Sequence, residues 1–435
     1  MARVVVVGGG LGGLASAARL AKLGHEVTLL EARDRVGGAL GRLTRGDFTW
    51  DSGPGHTLLP AVVRDLFRKS GRPLEREVEL VQLPLLRRHR FADGTELDLP
   101  SGRADQLAAV GAALGDDAAQ RWTDYVDAFT DDWEALRKDY VERPWSPELA
   151  GDHAAALLRS RLTMAKVLRR RFKDERLRLL AGFGPSLEGH DLRDVPAWVG
   201  LWSYLERQLG CWTVPGGLGS LAEVLEQRLA TRRVSVELGT RALDVVLRDG
   251  RAVGVRTTAG DVDADVVVLA VDPRLLPATA AHVVRTTPAM PPVVCHLGLE
   301  GEVPDLPHEV VVHGEALLVL RTTGGQAPEG RHAWTLLGRG RLSEDPVVAL
   351  ARGGIRVRDQ VVARVDRSPR DQVAELGQSA YGVQWQGRGT VRQRLGPRTP
   401  LPGVYAAGAS AAPGAGVPFV GLSAALVAQV VGPAR

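Results

Sequence analysis

Apolar and polar positions along this chain follow two periods, and the switch between them outlines the fold. Val4 to Val7 is an unbroken β-branched run, the pattern of a strand covered on both faces. Glycines follow at once, and the spacing predicts a helix from about Gly12 to Leu23, stopped by Gly24. Val27 to Leu30 predicts a second buried strand, completing a strand–turn–helix–strand unit. From Gly53 to about Leu209 the pattern is mostly helical, as over 127–136 and 176–180, with one hairpin predicted around Asp93-Gly94. Alternation then returns: a helix over 221–230, strands over 234–238, 242–247 and 252–256 with a turn at Asp249-Gly250, and an apolar strand Val266–Val271 stopped by Asp272-Pro273. Residues 291–385 read as strand-rich, Val404–Ala407 as a last short strand and 418–431 as a last helix. This order implies an α/β fold: a discontinuous Rossmann-type domain of residues 1–65, 212–285 and 388–435, and an inserted mixed α+β domain of 66–211 and 286–387.

Composition narrows the class. With 435 residues, 44% apolar and 24% charged, the chain is an ordinary globular sequence of two or three domains. Cys211 and Cys295 are its only cysteines, too few for a disulfide framework or a cysteine-rich zinc site. No apolar run reaches the roughly 18–20 residues that span a bilayer, and the first strand starts at Arg3, so the expectation is a cytoplasmic protein with no leader. A net charge of +4 and the lack of basic–aromatic clusters exclude a nucleic-acid binder. The run of arginines from Arg159 to Arg178 is read as one helix. Two readings of it stand: a solvated face, or peripheral contact with anionic lipid headgroups.

Chemistry enters at the first turn. Gly8, Gly10 and Gly13 form G-x-G-x-x-G after a buried strand and at the opening of a helix, the context that a dinucleotide loop requires. Gly8 allows the tight turn, Gly10 lets a pyrophosphate approach the backbone, and Gly13 lets helix pack on strand. The helix N-terminus adds N–H groups and a positive dipole end. Glu31 follows the second strand, where a carboxylate accepts ribose hydroxyls. Other glycine and histidine patterns carry less. His308 and His313 are five apart with three valines between them, a strand spacing and not the i, i+4 pair of a zinc helix, so no metal is expected. Pro215-Gly-Gly-Leu-Gly219 lacks a preceding buried strand and reads as a helix-entry turn, so no NAD(P) site is expected.

Further blocks separate FAD from NAD. Glu31-Ala-Arg-Asp-Arg-Val-Gly-Gly38 continues the site, and Asp51-Ser-Gly-Pro-Gly-His56 follows. Later come Arg171–Phe183, Trp212-Thr-Val-Pro-Gly-Gly-Leu-Gly219, and Gly403-Val-Tyr-Ala-Ala-Gly408 continuing to Val417-Pro-Phe-Val420. In this order they resemble the flavin amine oxidase superfamily, and within it the phytoene desaturase-like (carotenoid dehydrogenase-like) family. The resemblance implies a glutathione reductase/amine oxidase-like FAD domain with the following roles. Gly8, Gly10, Leu11, Gly12 and Gly13 would hold the pyrophosphate, and Glu31 with Ala32 and Arg33 the ADP ribose. Gly37, Gly38 and Ala39 would pass beside the pyrophosphate and ribityl chain, and Ala242 would offer its backbone to adenine. Gly53, Pro54, Gly55 and His56 would border the isoalloxazine, Gly408 and Ala409 the ribityl region, and Val417, Pro418, Phe419 and Val420 the flavin N1/C2=O edge. The family usually has Arg or Lys at the position of Ala39, and Arg42 is the candidate replacement. The chain is also shorter than typical carotenoid desaturases, which implies a shorter substrate cavity.

The same resemblance implies an activity. Many amine oxidases place a lysine near the flavin N5 in the later part of the substrate domain, but this chain's lysines are Lys22, Lys69, Lys138, Lys166 and Lys173. Arginine cannot serve, because its pKa exceeds about 12. The leading expectation is therefore an FAD-dependent oxidoreductase, with non-covalent FAD, that desaturates an apolar isoprenoid or other natural product. Oxygen or a quinone would be the electron acceptor. Alternatives are an oxidase of C–N or C–O bonds in a smaller metabolite, a flavin-using isomerase, and a non-catalytic lipid-binding relative. His56 is open as base, flavin contact or pocket wall. Glu188, Asp191 and Asp194 are candidate proton acceptors or exposed loop acids, and Trp202, Tyr204 and Trp385 are pocket walls or core.

Overall fold

The computed structural model describes residues 1–434. Val4–Val7 lie in the central strand of a five-stranded, all-parallel sheet. The strands run in the order 404–406, 266–269, 3–7, 26–30 and 235–237. Alternate side chains of the central strand enter two different cores. Val4 and Val6 pack with Leu14, Leu29 and Val268 under the helices Leu11–Lys22 and Val417–Val431. Val5 and Val7 pack with Val245, Ala252 and Val255 of an antiparallel sheet formed by 242–248, 251–257 and 260–263. Covering both faces is why the strand reads as continuous valine, and each fully buried Val contributes about 2 kcal/mol relative to exposure. Gly24, at φ +91°, closes the first helix, a conformation that costs a side chain but not glycine. The strand at 266 ends at Leu269, two residues before the expected Val271, because the chain turns away after Ala270 donates to the Val7 carbonyl (2.8 Å).

A second layer carries the other large sheet. Its seven strands run 361–367, 293–300, 331–340, 316–321, 309–312, 87–90 and 96–99. All pairs are antiparallel except 309–312 with 87–90. The hairpin at Asp93-Gly94 forms as predicted, with the Thr95 N–H bonded to Asp93 Oδ1 (2.9 Å). Helices between 103 and 209 pack beside this sheet around an aromatic core that includes Trp122, Tyr125, Phe129 and Phe172. Among the described residues no helix is long and apolar enough to cross a membrane.

Two expectations need correction. The boundary at 65/66 falls inside the helix Pro60–Ser70, which packs on the first and last helices of the dinucleotide side. Leu66, Phe67, Leu74 and Leu80 all belong to that side's core. The arginine run 159–178 is not one helix. It is divided among Asp152–Arg159, Met164–Arg171 and Glu175–Leu187. Phe172 turns extended and fully buried, and Asp174 starts the next helix by accepting the Arg176 N–H (2.8 Å).

The two layers are joined at Asp51. It ends the strand 48–51, which pairs with 42–45 and with 325–326. Its buried carboxylate accepts the Gly219 N–H at Oδ1 (3.1 Å), leaves Oδ2 without a partner, and sits 3.8 Å from Arg42 Nε. Burial pushes its pKa up to about 6, against the Gly219 hydrogen bond and the Arg42 charge. An unfolded Asp titrates near 4, so the folded state binds the extra proton between about pH 4 and 6, and stability falls as pH rises through that window. Asp51→Asn is therefore expected to stabilise the fold by about 2 kcal/mol at pH 7.5, with the gain vanishing below about pH 4. Thermal melts of both proteins across pH check this.

Candidate active site

Backbone meets backbone at the C-terminal edge of the parallel sheet. A Cβ on Gly12 would stand 2.7 Å from the Gly408 Cα, and one on Gly38 would stand 2.9 Å from the Gly10 Cα. A Cβ on Gly13 would lie 1.8 Å from the Gly8 carbonyl oxygen. These crossings bring the first loop, the 37–38 turn and the loop after strand 404–406 around one trough. The trough holds a cavity of about 290 Å³. Gly8, Gly10, Leu11, Gly12, Glu31, Ala32, Arg33, Gly37, Gly38, Ala39, Ala242, Gly408, Ala409, Val417 and Val420 line it. Glu31 is held at its edge by the N–H groups of Gly9 (2.7 Å) and Arg33 (2.9 Å). The helix Val417–Val431 starts here, with Pro418 in its first turn. Its N–H groups and dipole suit negative charge. These features fit a dinucleotide: an open glycine face for a pyrophosphate, a carboxylate for a ribose, and a helix N-terminus at the far end.

A second chamber, of about 170 Å³, shares Gly38, Ala39, Pro54, Gly416 and Val417 with the trough. Gly53, His56 and Pro418 line it, as does apolar wall from Phe183, Leu187, Val294 and Leu337. Trp202, Glu188 and Tyr381 separate it from a third, aromatic chamber of about 80 Å³ that includes Trp133, Trp198, Trp385 and Phe419.

The central chamber also has a charged wall that the sequence did not announce. Arg87 grips Glu206 through both terminal nitrogens and donates from Nε to Glu309 Oε1 (3.1 Å). Arg321 donates from Nε to Glu309 Oε2 (3.1 Å) and from Nη1 to the Gly53 carbonyl (3.0 Å). All four side chains are buried. Burial opposes ionisation of Glu309, but positive charge around it, from His56 where that ring is protonated and then from Arg321 and Arg87, outweighs burial and holds the carboxyl at about 2. His56 Nδ1 lies 3.9 Å from Glu309 Oε2, and burial pushes the imidazole down to about 3. His56 is therefore neutral at pH 7. A base so weak is poorly matched to proton abstraction at that pH, which leaves it the roles of contact and wall.

Several predicted residues fall elsewhere. Arg42 does not reach the trough in place of a basic residue at Ala39. It bonds Glu223 (2.7 Å), the Ser220 hydroxyl (2.7 Å) and the Gly216 carbonyl (3.1 Å), and so clamps the 216–220 turn. Gly55 lines neither chamber and backs onto the Arg321 side chain. Phe419 faces the aromatic chamber, 5.7 Å from Trp202. Trp202 and Trp385 line chambers, whereas Tyr204 packs on the helical core. Asp191 is tied to Arg193 (2.9 Å) and Asp194 is exposed, so of the three acids only Glu188 lines the chambers. His308 meets His56 edge-on, while His313 bonds the buried His89 (2.9 Å), so the two face different neighbours. Residues 376–380 also line the trough, although their sequence position suggested the substrate side.

The glycines predict a separation of folding from cofactor retention. Gly10 has φ −73°, and a Cβ there would meet only the Gly38 Cα at 3.9 Å. Gly10→Ala is expected to leave the melting temperature within a degree or two while flavin retention falls at least tenfold. Gly13→Ala, driven into the Gly8 carbonyl, is expected to lose about 3 kcal/mol of stability. Flavin absorbance per protein and thermal melts distinguish the two.

Known proteins agree with this geometry. Residues 11–432 match the family described as flavin containing amine oxidoreductase. The hydroxyneurosporene desaturase of Cereibacter sphaeroides is 30% identical, the match covering 99% of this chain and 97% of that one. The 4,4'-diapolycopene oxygenase of a Methylomonas species is 28% identical over 98% of this chain and 97% of its own. A putrescine oxidase solved with putrescine bound superposes with a TM-score of 0.71 at 17% identity, covering 99% and 98% of the two chains. The trough, its helix ends and these matches make the chain a member of the flavin-containing amine oxidoreductase family, and a flavin-dependent oxidoreductase.

Proposed function

We propose that this chain is an FAD-dependent dehydrogenase that forms carbon–carbon double bonds in an apolar, chain-like substrate of the isoprenoid type. The observation that carries the reading is the central chamber: largely apolar, continuous with the flavin trough, and followed by an aromatic chamber. None of the five lysines lines either chamber, which counts against amine oxidation through a lysine-held water. The carotenoid desaturase among the relatives supports the substrate class. Gly8, Gly10, Gly12, Gly37, Gly38 and Glu31 would hold the pyrophosphate and ribose of FAD, and the N-terminus of helix 417–431 would face the electron-accepting ring. Both cysteines are buried and line neither the trough nor the central chamber, which supports non-covalent binding. Pro215–Gly219 is clamped by Asp51 and Arg42 at a helix entry, which counts against a second dinucleotide loop there. Oxygen or a quinone is therefore the proposed acceptor.

When bound, FAD supplies the hydride acceptor. The protein must orient the chain, exclude water and take the proton lost from the neighbouring carbon, whose electron pair becomes the new π bond. Glu206 and Glu309 are committed to Arg87 and Arg321, and Glu375 is committed to Arg33 and Arg367. Among the described residues, Glu188 is the carboxylate on the chamber wall with no arginine within 4 Å. It follows helix 175–187, and its Oε2 lies 3.3 Å from His190 Nε2. We assign it the proton. Glu188→Gln is expected to keep its flavin and to slow anaerobic flavin reduction by an acyclic polyene about 100-fold or more, the usual range for a lost general base. Product mass two hydrogens below substrate supports the reading. Reduction by putrescine but by no polyene would overturn it.

A further inference from the structure

The aromatic chamber ends on a cation. Arg394 lines it, is 8% exposed, and sits over Trp385 with its Cζ 4.4 Å from the ring centre. Trp198 meets Trp385 edge-on at 5.4 Å, and Tyr140 meets Trp198 at 6.1 Å. The guanidinium donates from Nη1 to the Pro413 carbonyl and from Nη2 to the Val383 carbonyl, each at 2.9 Å. Among the described residues its Nε has no acceptor and no carboxylate lies within 4 Å. This sets it apart from the charged wall of the central chamber, where each arginine is neutralised by a carboxylate. Burial pushes the Arg394 pKa down, and the Tyr140 hydroxyl and, farther off, Glu188 only partly compensate. A buried guanidinium without a counter-charge is costly. A wholly hydrocarbon ligand filling this chamber would leave that cost standing. An oxygen at the end of such a ligand would relieve it, because arginine recognises carboxylate and carbonyl oxygens through directed N–H donors.

We propose that Arg394 and the aromatic chamber form a terminal subsite that selects apolar chains ending in an oxygen acceptor, a carboxylate above all, over pure hydrocarbons. The apolar body lies in the central chamber, and the oxygenated end stacks among Trp198, Trp385 and Tyr140 against the guanidinium. The inference rests on the apolar-chain reading above and deepens it. The indole rings set the width of the subsite, and Arg394 sets its polarity.

The test is a titration of the oxidised holoprotein with farnesoic acid and with β-farnesene, which share an isoprenoid body, read by perturbation of the flavin spectrum. The expected result is at least tenfold tighter binding of the acid. Arg394→Met, of similar length without charge, is expected to abolish that preference while leaving the farnesene affinity within twofold. Equal affinities for the two probes in the unmodified protein would overturn the subsite and leave the apolar-chain reading standing, and this measurement needs no variant to fold. A variant that weakens both probes alike would also overturn it, by reducing Arg394 to a structural role. Binding of neither probe would overturn the apolar-chain reading and the subsite together.

Discussion

Two crossings of bare backbone, Gly10 against Gly38 and Gly12 against Gly408, set the geometry on which the rest of the molecule depends. Side chains at Gly12 or Gly38 would hold the loops apart, since each would collide with backbone under 3 Å away, and any side chain at Gly408, with φ +93°, would strain the backbone. With the loops together, the segments at Gly10, Gly38 and Gly408, the outer two 398 residues apart in sequence, share one trough. The helices that begin at Leu11 and Val417 then direct their N-termini toward the same space. This arrangement suits negative charge at a point where Ala39 offers no basic side chain and the Arg33 guanidinium is paired with Glu375. The helix dipoles and exposed N–H groups supply what Arg42, engaged elsewhere, does not.

The central chamber poses the opposite physical problem. Arg87, Glu206, Glu309 and Arg321 are buried beside apolar wall, where an isolated charge is expensive. Their mutual pairing, two cations with two anions, removes the net charge, and the Arg321 bond to the Gly53 carbonyl ties the network to the stretch bordering the flavin. A group so arranged is a fixed wall, with neutral His56 3.9 Å from its Glu309 carboxylate. The contrast with Glu188 and Arg394, neither of which has an oppositely charged side chain of that kind within reach, divides the polar side chains into a fixed scaffold and a pair left to meet a ligand.

Local constraints were legible in the sequence, and long-range ones were not. Val4–Val7, the G-x-G-x-x-G turn and Gly24 each depend on neighbours within a few positions, so spacing alone located the first strand, loop and helix. The fold class and the flavin trough followed from them. The Arg87–Glu309 contact joins residues 222 apart in sequence. Its one trace was a charged residue opening the apolar strand 309–312, which pattern alone reads as a surface position. Arg42 was misplaced because proximity in sequence to Ala39 does not fix direction: the strand 42–45 carries its side chain to the 216–220 turn. The arginine run, helical by local pattern, is broken because Phe172 is drawn into the aromatic core, a tertiary demand that outweighs local propensity. Residues 376–380 reach the trough only because helix 369–376 lies beside it, which no local pattern encodes.

The proposed chemistry requires a flavin held by backbone and without a covalent bond. The most direct measurement is the visible spectrum of the purified protein before and after denaturation and ultrafiltration. The expected result is a flavin spectrum in the native protein that passes entirely into the filtrate as intact FAD. A colourless protein that gains no flavin spectrum on incubation with FAD, or a chromophore retained with the denatured chain, would contradict it.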